Sequence, residues 1–97
     1  MRQLVNGVGD RVVVLDARAH DRVVAFLSHL PQLVAWALCK AVRSDRVARR
    51  QVGVAGPGFR DMTRLARSPR PLWREVLSQN RAEVIRALRA FERALDR

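Results

Sequence analysis

"HDRVVAFLSHLPQLVAW", residues 20–36, is the longest apolar stretch of the chain, and Asp21, Ser28, His29, Pro31 and Gln32 interrupt it. The remaining positions carry good helix formers and apolar residues at the density of a buried helix. Asp16 is placed to cap such a helix, which is expected to run to about Arg43 with a bend at Pro31. At about 100° per residue, Asp21, Ser28 and Gln32 stand at i, i+7 and i+11 and share one polar stripe. His29 lies one step off that line. A proline at 31 frees a backbone carbonyl near position 27 and opens space beside Ser28. Two readings stay open. The stripe is the wall of a binding site, or Ser28 and His29 repair the freed backbone while Gln32 faces water. His20 and His29, nine residues apart, fall on opposite faces, so no metal pair is expected.

Outward from this helix, "RVVVLDARAHD" (11–21) marks a boundary. Residues 12–15 are a β-branched run of strand length behind the turn residues Gly7, Gly9 and Asp10, with no second strand expected to pair with it. An orphan strand needs a sheet, so a part of the original protein is expected on the N-terminal side. On the other side, "RVARRQVGVA" (46–55) reads as a short helix closed by Gly56-Pro57-Gly58, followed by a turn or two of helix over 59–66. Ser68 is expected to cap the next helix, with Pro69 at its first position. A last helix fills 81–96 with Val84, Leu88, Phe91 and Leu95 on one stripe. The fold class is all-α with one residual strand in front.

Ninety-seven residues support one small domain or a piece of a larger protein. The core must be aliphatic, since the chain has three phenylalanines, two tryptophans and no tyrosine. A single cysteine, Cys39, excludes a disulfide framework and fits a reducing compartment. No signal peptide is visible. The stretch 23–42 contains Ser28, His29, Gln32 and Lys40, which argues against a membrane span. A soluble, cytoplasmic chain is expected. The net charge of +10 invites phosphate, yet 18 of the 19 basic residues are arginine and they are spread from Arg2 to Arg97. Only Arg43, Arg46, Arg49 and Arg50 cluster, as a solvated helix end would, and no nucleic-acid recognition motif is present.

The second informative stretch is "GPGFRDMTRLARSPRPLW" (56–73). Arg60, Asp61 and Arg64 stand at i, i+1 and i+4 directly after the Gly-Pro-Gly turn. Asp61 can hold Arg64 at i+3, and an oriented guanidinium near a helix N-terminus clamps a carboxylate with two hydrogen bonds. The plainer alternative is a surface ion pair worth little. Met62 and Leu65 read as core, and Trp73 as packing or as an apolar lid over a ring.

Taken in order, these stretches resemble one family, the prephenate and arogenate dehydrogenases of tyrosine biosynthesis. The resemblance rests on "HDRVVAFLSHLP" (20–31), "GPGFRDMTRLA" (56–66) and "LWREVLSQNR" (72–81), spaced as in the family's C-terminal helical domain. The lead-in "LVNGVGDRVVVLDARAHD" (4–21) looks like the end of its nucleotide-binding domain. The resemblance implies that residues 1–16 are a remnant of that domain and 17–97 the helical substrate-binding and dimerisation domain. It further implies an enzyme that oxidatively decarboxylates prephenate or arogenate with NAD or NADP, and a homodimer made by the helical domain.

By the same resemblance Arg64 corresponds to the arginine that binds the substrate carboxylate, and Arg60 and Asp61 order the mouth of the pocket. Asp21 and Ser28 match the acidic and hydroxyl positions of the HD and SHLP motifs, His29 belongs to the second motif, and Trp73 matches a pocket-lining tryptophan. Gln32 stands where many members carry histidine, near the substrate side chain, which leaves the choice between prephenate and arogenate open. Pro57 replaces a glycine common in the turn. The Gly-x-Gly-x-x-Gly fingerprint is absent, since "GVGD" (7–10) lacks the third glycine and precedes a strand. The family's catalytic histidine belongs to the other domain. The chain is therefore expected to hold no catalytic residue, cofactor ligand or metal ligand, and to be inactive without a separate nucleotide-binding domain. The alternative is an independent small basic helical module that binds nucleic acid or an acidic protein.

Overall fold

The computed structural model describes residues 2–6 and 12–96, with side chains from residue 14 onward. Two strands, β1 (Arg2–Asn6) and β2 (Val12–Asp16), pair antiparallel with Arg2 opposite Asp16 and Asn6 opposite Val12. The strand expected to stand alone therefore has a partner. "RQLVN" has too little alternation to announce itself, and proximity along the chain makes the pairing cheap in loop entropy. The turn signals Gly7, Gly9 and Asp10 lie outside the described residues.

Among the described residues every element after β2 is helical. Asp16 caps α1 (Ala17–Val24), its Oδ1 accepting from the Ala19 N–H at 2.8 Å. The expected bend takes a different form. Residues Ala25–His29 are a π-helical turn, in which the Leu30 N–H reaches back to the Ala25 carbonyl, and α2 (Leu30–Ser44) starts behind it with Pro31 in its first turn. Proline lacks the N–H that a continuous α-helix would use, and its ring crowds the preceding turn; widening that turn relieves both. Then come α3 (Arg46–Arg50), a 3-10 turn (Val52–Val54), α4 (Pro57–Thr63), a second 3-10 turn (Arg64–Arg67), α5 (Arg70–Gln79) and α6 (Arg81–Leu95).

Two boundary expectations change. Gly56-Pro57-Gly58 opens α4 instead of closing the segment before it: Gly56 is the cap and Pro57 occupies the first turn. Pro69 is the residue ahead of α5 and Pro71 lies in its first turn, so Ser68 does not cap that helix. Proline fixes φ where a helix begins, and two prolines two residues apart leave the later one to set the start.

The core lies where the long helical segment crosses α6. Ala25, Val84 and Ala87 are fully or almost fully buried, with Leu30, Leu33, Leu77 and Leu88 packed around them. An ion pair of Arg22 with Glu83 (3.6 Å) ties α1 to α6 at the rim. Ala17–Ser44 is long and apolar enough to cross a membrane by length and composition, yet His29 and Gln32 are buried at its middle. Met62, Leu65 and Leu95, read as apolar core or stripe positions, are exposed by 52%, 37% and 70%. The small core between these helices is too thin to cover them.

Candidate functional site

The π turn decides which polar side chains meet. One extra residue in a turn shifts the helical phase by roughly 100°. The stripe of Asp21, Ser28 and Gln32 is broken by that shift: Asp21 and Ser28 face outward, whereas Gln32 (1% exposed) and His29 (7% exposed) turn inward beside Ala25 and Ala35. Gln32 thus does not face water. Its Nε2 donates to the Leu65 carbonyl at 2.6 Å, and its buried Oε1 has no hydrogen-bond partner among the described residues. One helical turn on, Trp36 Nε1 donates to the Ala66 carbonyl at 3.3 Å. Two side chains of α2 therefore pin the 3-10 turn that begins at Arg64.

An aromatic cluster closes over the same face. Trp73, half-buried on α5, meets the His29 ring edge-on at 5.9 Å and the Trp36 ring edge-on at 6.4 Å. Edge-to-face contacts at this spacing are the favoured aromatic geometry. The Arg70 guanidinium sits over Trp36 at 5.0 Å. Burial lowers the His29 pKa below its ordinary value; the Asp21 charge opposes that effect and His20 adds to it. His29 is accordingly a neutral imidazole near pH 7. Its Nδ1 is 3.4 Å from Asn80 Nδ2, which also donates to the Asp21 carbonyl at 2.8 Å.

Arg60, Asp61, Arg64 and Arg67 line a cleft of about 420 Å³ together with Val52, Ala55, Phe59 and Thr63. The expected Asp61–Arg64 ion pair is not formed, and among the described residues neither Arg60 nor Asp61 makes one. Arg64 follows Thr63, the last residue of α4, so it stands at the C-terminal end of that helix; the dipole support expected for an anion is not supplied by α4. What remains is a surface with three arginines to one aspartate, whose excess positive charge is open to an anion because, among the described residues, no carboxylate makes an ion pair with these arginines. Asp21 is not brought to this cleft. It lies 3.3 Å from His20 and lines a separate depression with Arg18, Asn80 and Arg81.

The structure thus brings His29, Gln32 and Trp73 together and fastens the turn carrying Arg64 to them, while Ser28 and Asp21 stand apart. Three residues were missed at the level of sequence. Trp36 is four residues beyond Gln32 and shares its face, a signal that was legible. Asn80 lies between two helices, where it resembles an ordinary cap. Arg67 is one of eighteen arginines, and nothing in the sequence singles it out.

The described residues do not form a dinucleotide cradle. Gly56-Pro57-Gly58 follows a 3-10 turn instead of a strand, and a Cβ added at Gly53, Gly56 or Gly58 would meet nothing within 4 Å, so no helix–strand packing demands a glycine there. Among the described residues no group of three or more His, Cys, Asp or Glu could hold a metal ion.

Residues 16–97 match the family described as "Prephenate dehydrogenase, dimerization domain". The chain is 33% identical to a prephenate dehydrogenase of Lactococcus lactis over 99% of its own length and 27% of that protein. It is 29% identical to a prephenate dehydrogenase of Bacillus subtilis, covering 26% of it. It superposes on prephenate dehydrogenase from A. aeolicus, solved in complex with hydroxyphenyl propionate and NAD+, with a TM-score of 0.71 and 34% identity over 81% of this chain and 28% of that one. Synechocystis arogenate dehydrogenase gives a TM-score of 0.74 at 28% identity, over 80% of this chain and 29% of that one. The chain spans about a quarter of the length of the curated relatives it matches.

Proposed function

Because the chain belongs to the prephenate dehydrogenase dimerization-domain family, we propose that it is the substrate-binding and dimerising part of a prephenate or arogenate dehydrogenase acting in tyrosine biosynthesis in the cytoplasm. The observation that carries this reading is the anchored Arg64 turn. Gln32 and Trp36 hold the carbonyls of Leu65 and Ala66, so the backbone is fixed while the guanidinium before it has no internal partner.

Prephenate is a dianion on a ten-carbon skeleton. Arg64 meets one carboxylate with a planar two-point donor, which lysine would not supply. Arg60 and Asp61 set the charge at the mouth of the cleft. We assign His29 and Gln32, which are buried behind the Arg64 turn, to the polar floor of the site and Trp73 to the cover over the apolar ring; Ser28 and Asp21 stand outside the cleft. In the reaction the hydride leaves the ring carbon that bears the hydroxyl, the ring carboxylate departs as carbon dioxide and the ring becomes aromatic. A bound nicotinamide ring, NAD or NADP, supplies the hydride acceptor. The residues of this chain bind, orient and exclude water; the nucleotide-binding domain, of which residues 1–16 form the tail end, contributes the rest.

Homodimer formation is part of the reading. The accessible surface is 7913 Å² for a chain of 11.0 kDa. A compact monomer of that mass exposes about 5,600 Å². The surplus is of the size a partner hides, whether a second copy or the nucleotide-binding domain, and the description of the family as a dimerization domain favours the second copy.

Reconstitution tests the assignment. Joined to a nucleotide-binding domain of the family, the chain should give prephenate-dependent reduction of NAD; alone it should neither bind NAD at micromolar concentration nor turn over prephenate. Salt-sensitive retention on DNA together with no response to prephenate in the joined protein would support the basic-module alternative instead.

A further inference from the structure

Asn80 stands between α5 and α6, where an asparagine is usually found capping the helix that follows. Its side chain makes no capping bond to α6. The amide reaches across to the other half of the molecule, 2.8 Å from the Asp21 carbonyl and 3.4 Å from His29 Nδ1. A backbone carbonyl can only accept, so the atom facing Asp21 is the amide nitrogen and not the oxygen. Both of its hydrogens are then spoken for. One serves the Asp21 carbonyl, and the nitrogen that faces His29 Nδ1 has the second to give.

That geometry constrains the histidine. Facing an N–H donor, Nδ1 must offer its lone pair, and the single proton of the neutral ring is left on Nε2. A proton on Nδ1 would set donor against donor. The groups around the ring agree. The carboxylate of Asp21, the acidic group whose charge His29 feels, is directed at His20 Nδ1 (3.3 Å), and Trp73 presents only its aromatic ring. Among the described residues no other group lies within hydrogen-bond distance of His29 Nδ1. Proximity of Asn80 also ties the α5–α6 junction to the π turn, so the ring's direction and its tautomer are set by one side chain.

We propose that Asn80 is a positioning residue, which fixes His29 in the neutral Nε2–H tautomer, the form in which the ring would donate to an acidic or hydroxyl-bearing substrate. The second half of that statement rests on the substrate-binding reading above; the first half stands on this chain alone. Asn80 touches no substrate and acts through His29.

The test is nitrogen-15 NMR of the two histidines in the labelled 97-residue chain above pH 7.5, without substrate. In the folded chain His29 should show an unprotonated Nδ1 and a protonated Nε2, as one tautomer. In Asn80→Ala that single form should give way to the mixture seen for the same ring in the urea-unfolded chain. In Asn80→Asp the new carboxylate is an acceptor, and the proton should move to Nδ1. A wild-type His29 carrying its proton on Nδ1 overturns the proposal, as does an Asn80→Asp chain, folded by circular dichroism, whose tautomer is unchanged. Should both variants unfold, the wild-type spectrum decides. Since no substrate is present, these spectra judge Asn80 separately from the substrate assignment, which the reconstituted turnover judges.

Discussion

Replacing Gln32 separates what this buried amide does for the fold from what it does for a ligand. The side chain is 1% exposed, with one hydrogen bond to the Leu65 carbonyl at 2.6 Å and one buried oxygen left without a partner. Gln32→Met keeps the length and nearly the volume. It removes a hydrogen bond whose net worth is about 1 kcal/mol, and it also removes an orphan acceptor whose desolvation costs about 1–3 kcal/mol. Leaving the Leu65 carbonyl without its donor raises the first of these costs to as much as about 3 kcal/mol. The two effects oppose each other, and their sum lies within about 2 kcal/mol of zero. Gln32→Ala loses the same bond and leaves a void four heavy atoms in size, for which large-to-small substitutions suggest about 2–4 kcal/mol. Urea unfolding followed by circular dichroism, at one fixed protein concentration, measures both. If Gln32→Met costs as much as Gln32→Ala, the oxygen has a partner within the folded protein and the reasoning fails. If Met is benign to folding yet weakens prephenate binding in the reconstituted enzyme, the substrate supplies the donor that Oε1 lacks.

Sedimentation of the chain at high micromolar concentration should show a dimer, because of its surplus surface; a stable, well-folded monomer would refute that. The lowered pKa of His29 makes stability depend on pH with a definite sign. Below about 6.5 the unfolded chain binds a proton that the folded chain resists, so stability should fall as pH drops through that value and level off once folded His29 is protonated. Thermal midpoints at pH 7.5 and 5.5 should differ less in His29→Gln than in the parent; an equal difference would show that His29 is not responsible.

The helical fold was legible because its signals are local. Asp16 caps where a short acceptor before an apolar run should, and Val84 and Leu88 bury on the stripe that their spacing defines. The π turn was not legible, since a helical wheel assumes constant phase and "AFLSHLP" does not reveal which turn widens ahead of the proline. That single change puts Gln32 in the core and separates it from Ser28, with which its spacing aligns it. The Arg64 cluster shows the same limit. Sequence spacing permits an Asp61–Arg64 pair, but whether it forms depends on where α4 ends, and α4 ends at Thr63. Asn80 was hidden because its partners, Asp21 and His29, are 59 and 51 residues away.

The central claim is that this chain holds the substrate's carboxylate through Arg64. Calorimetry of prephenate binding to the enzyme reconstituted with a nucleotide-binding domain tests it most directly. Arg64→Ala should weaken binding by about 2–4 kcal/mol, roughly 30- to 800-fold, as for a charge-assisted two-point contact left unmade. Affinity for NAD should hardly change. Arg67 lines the same cleft and would be a poor control; Arg89→Ala, on the exposed side of α6, should leave prephenate binding as it was. A dissociation constant for Arg64→Ala within twofold of the parent would contradict the account.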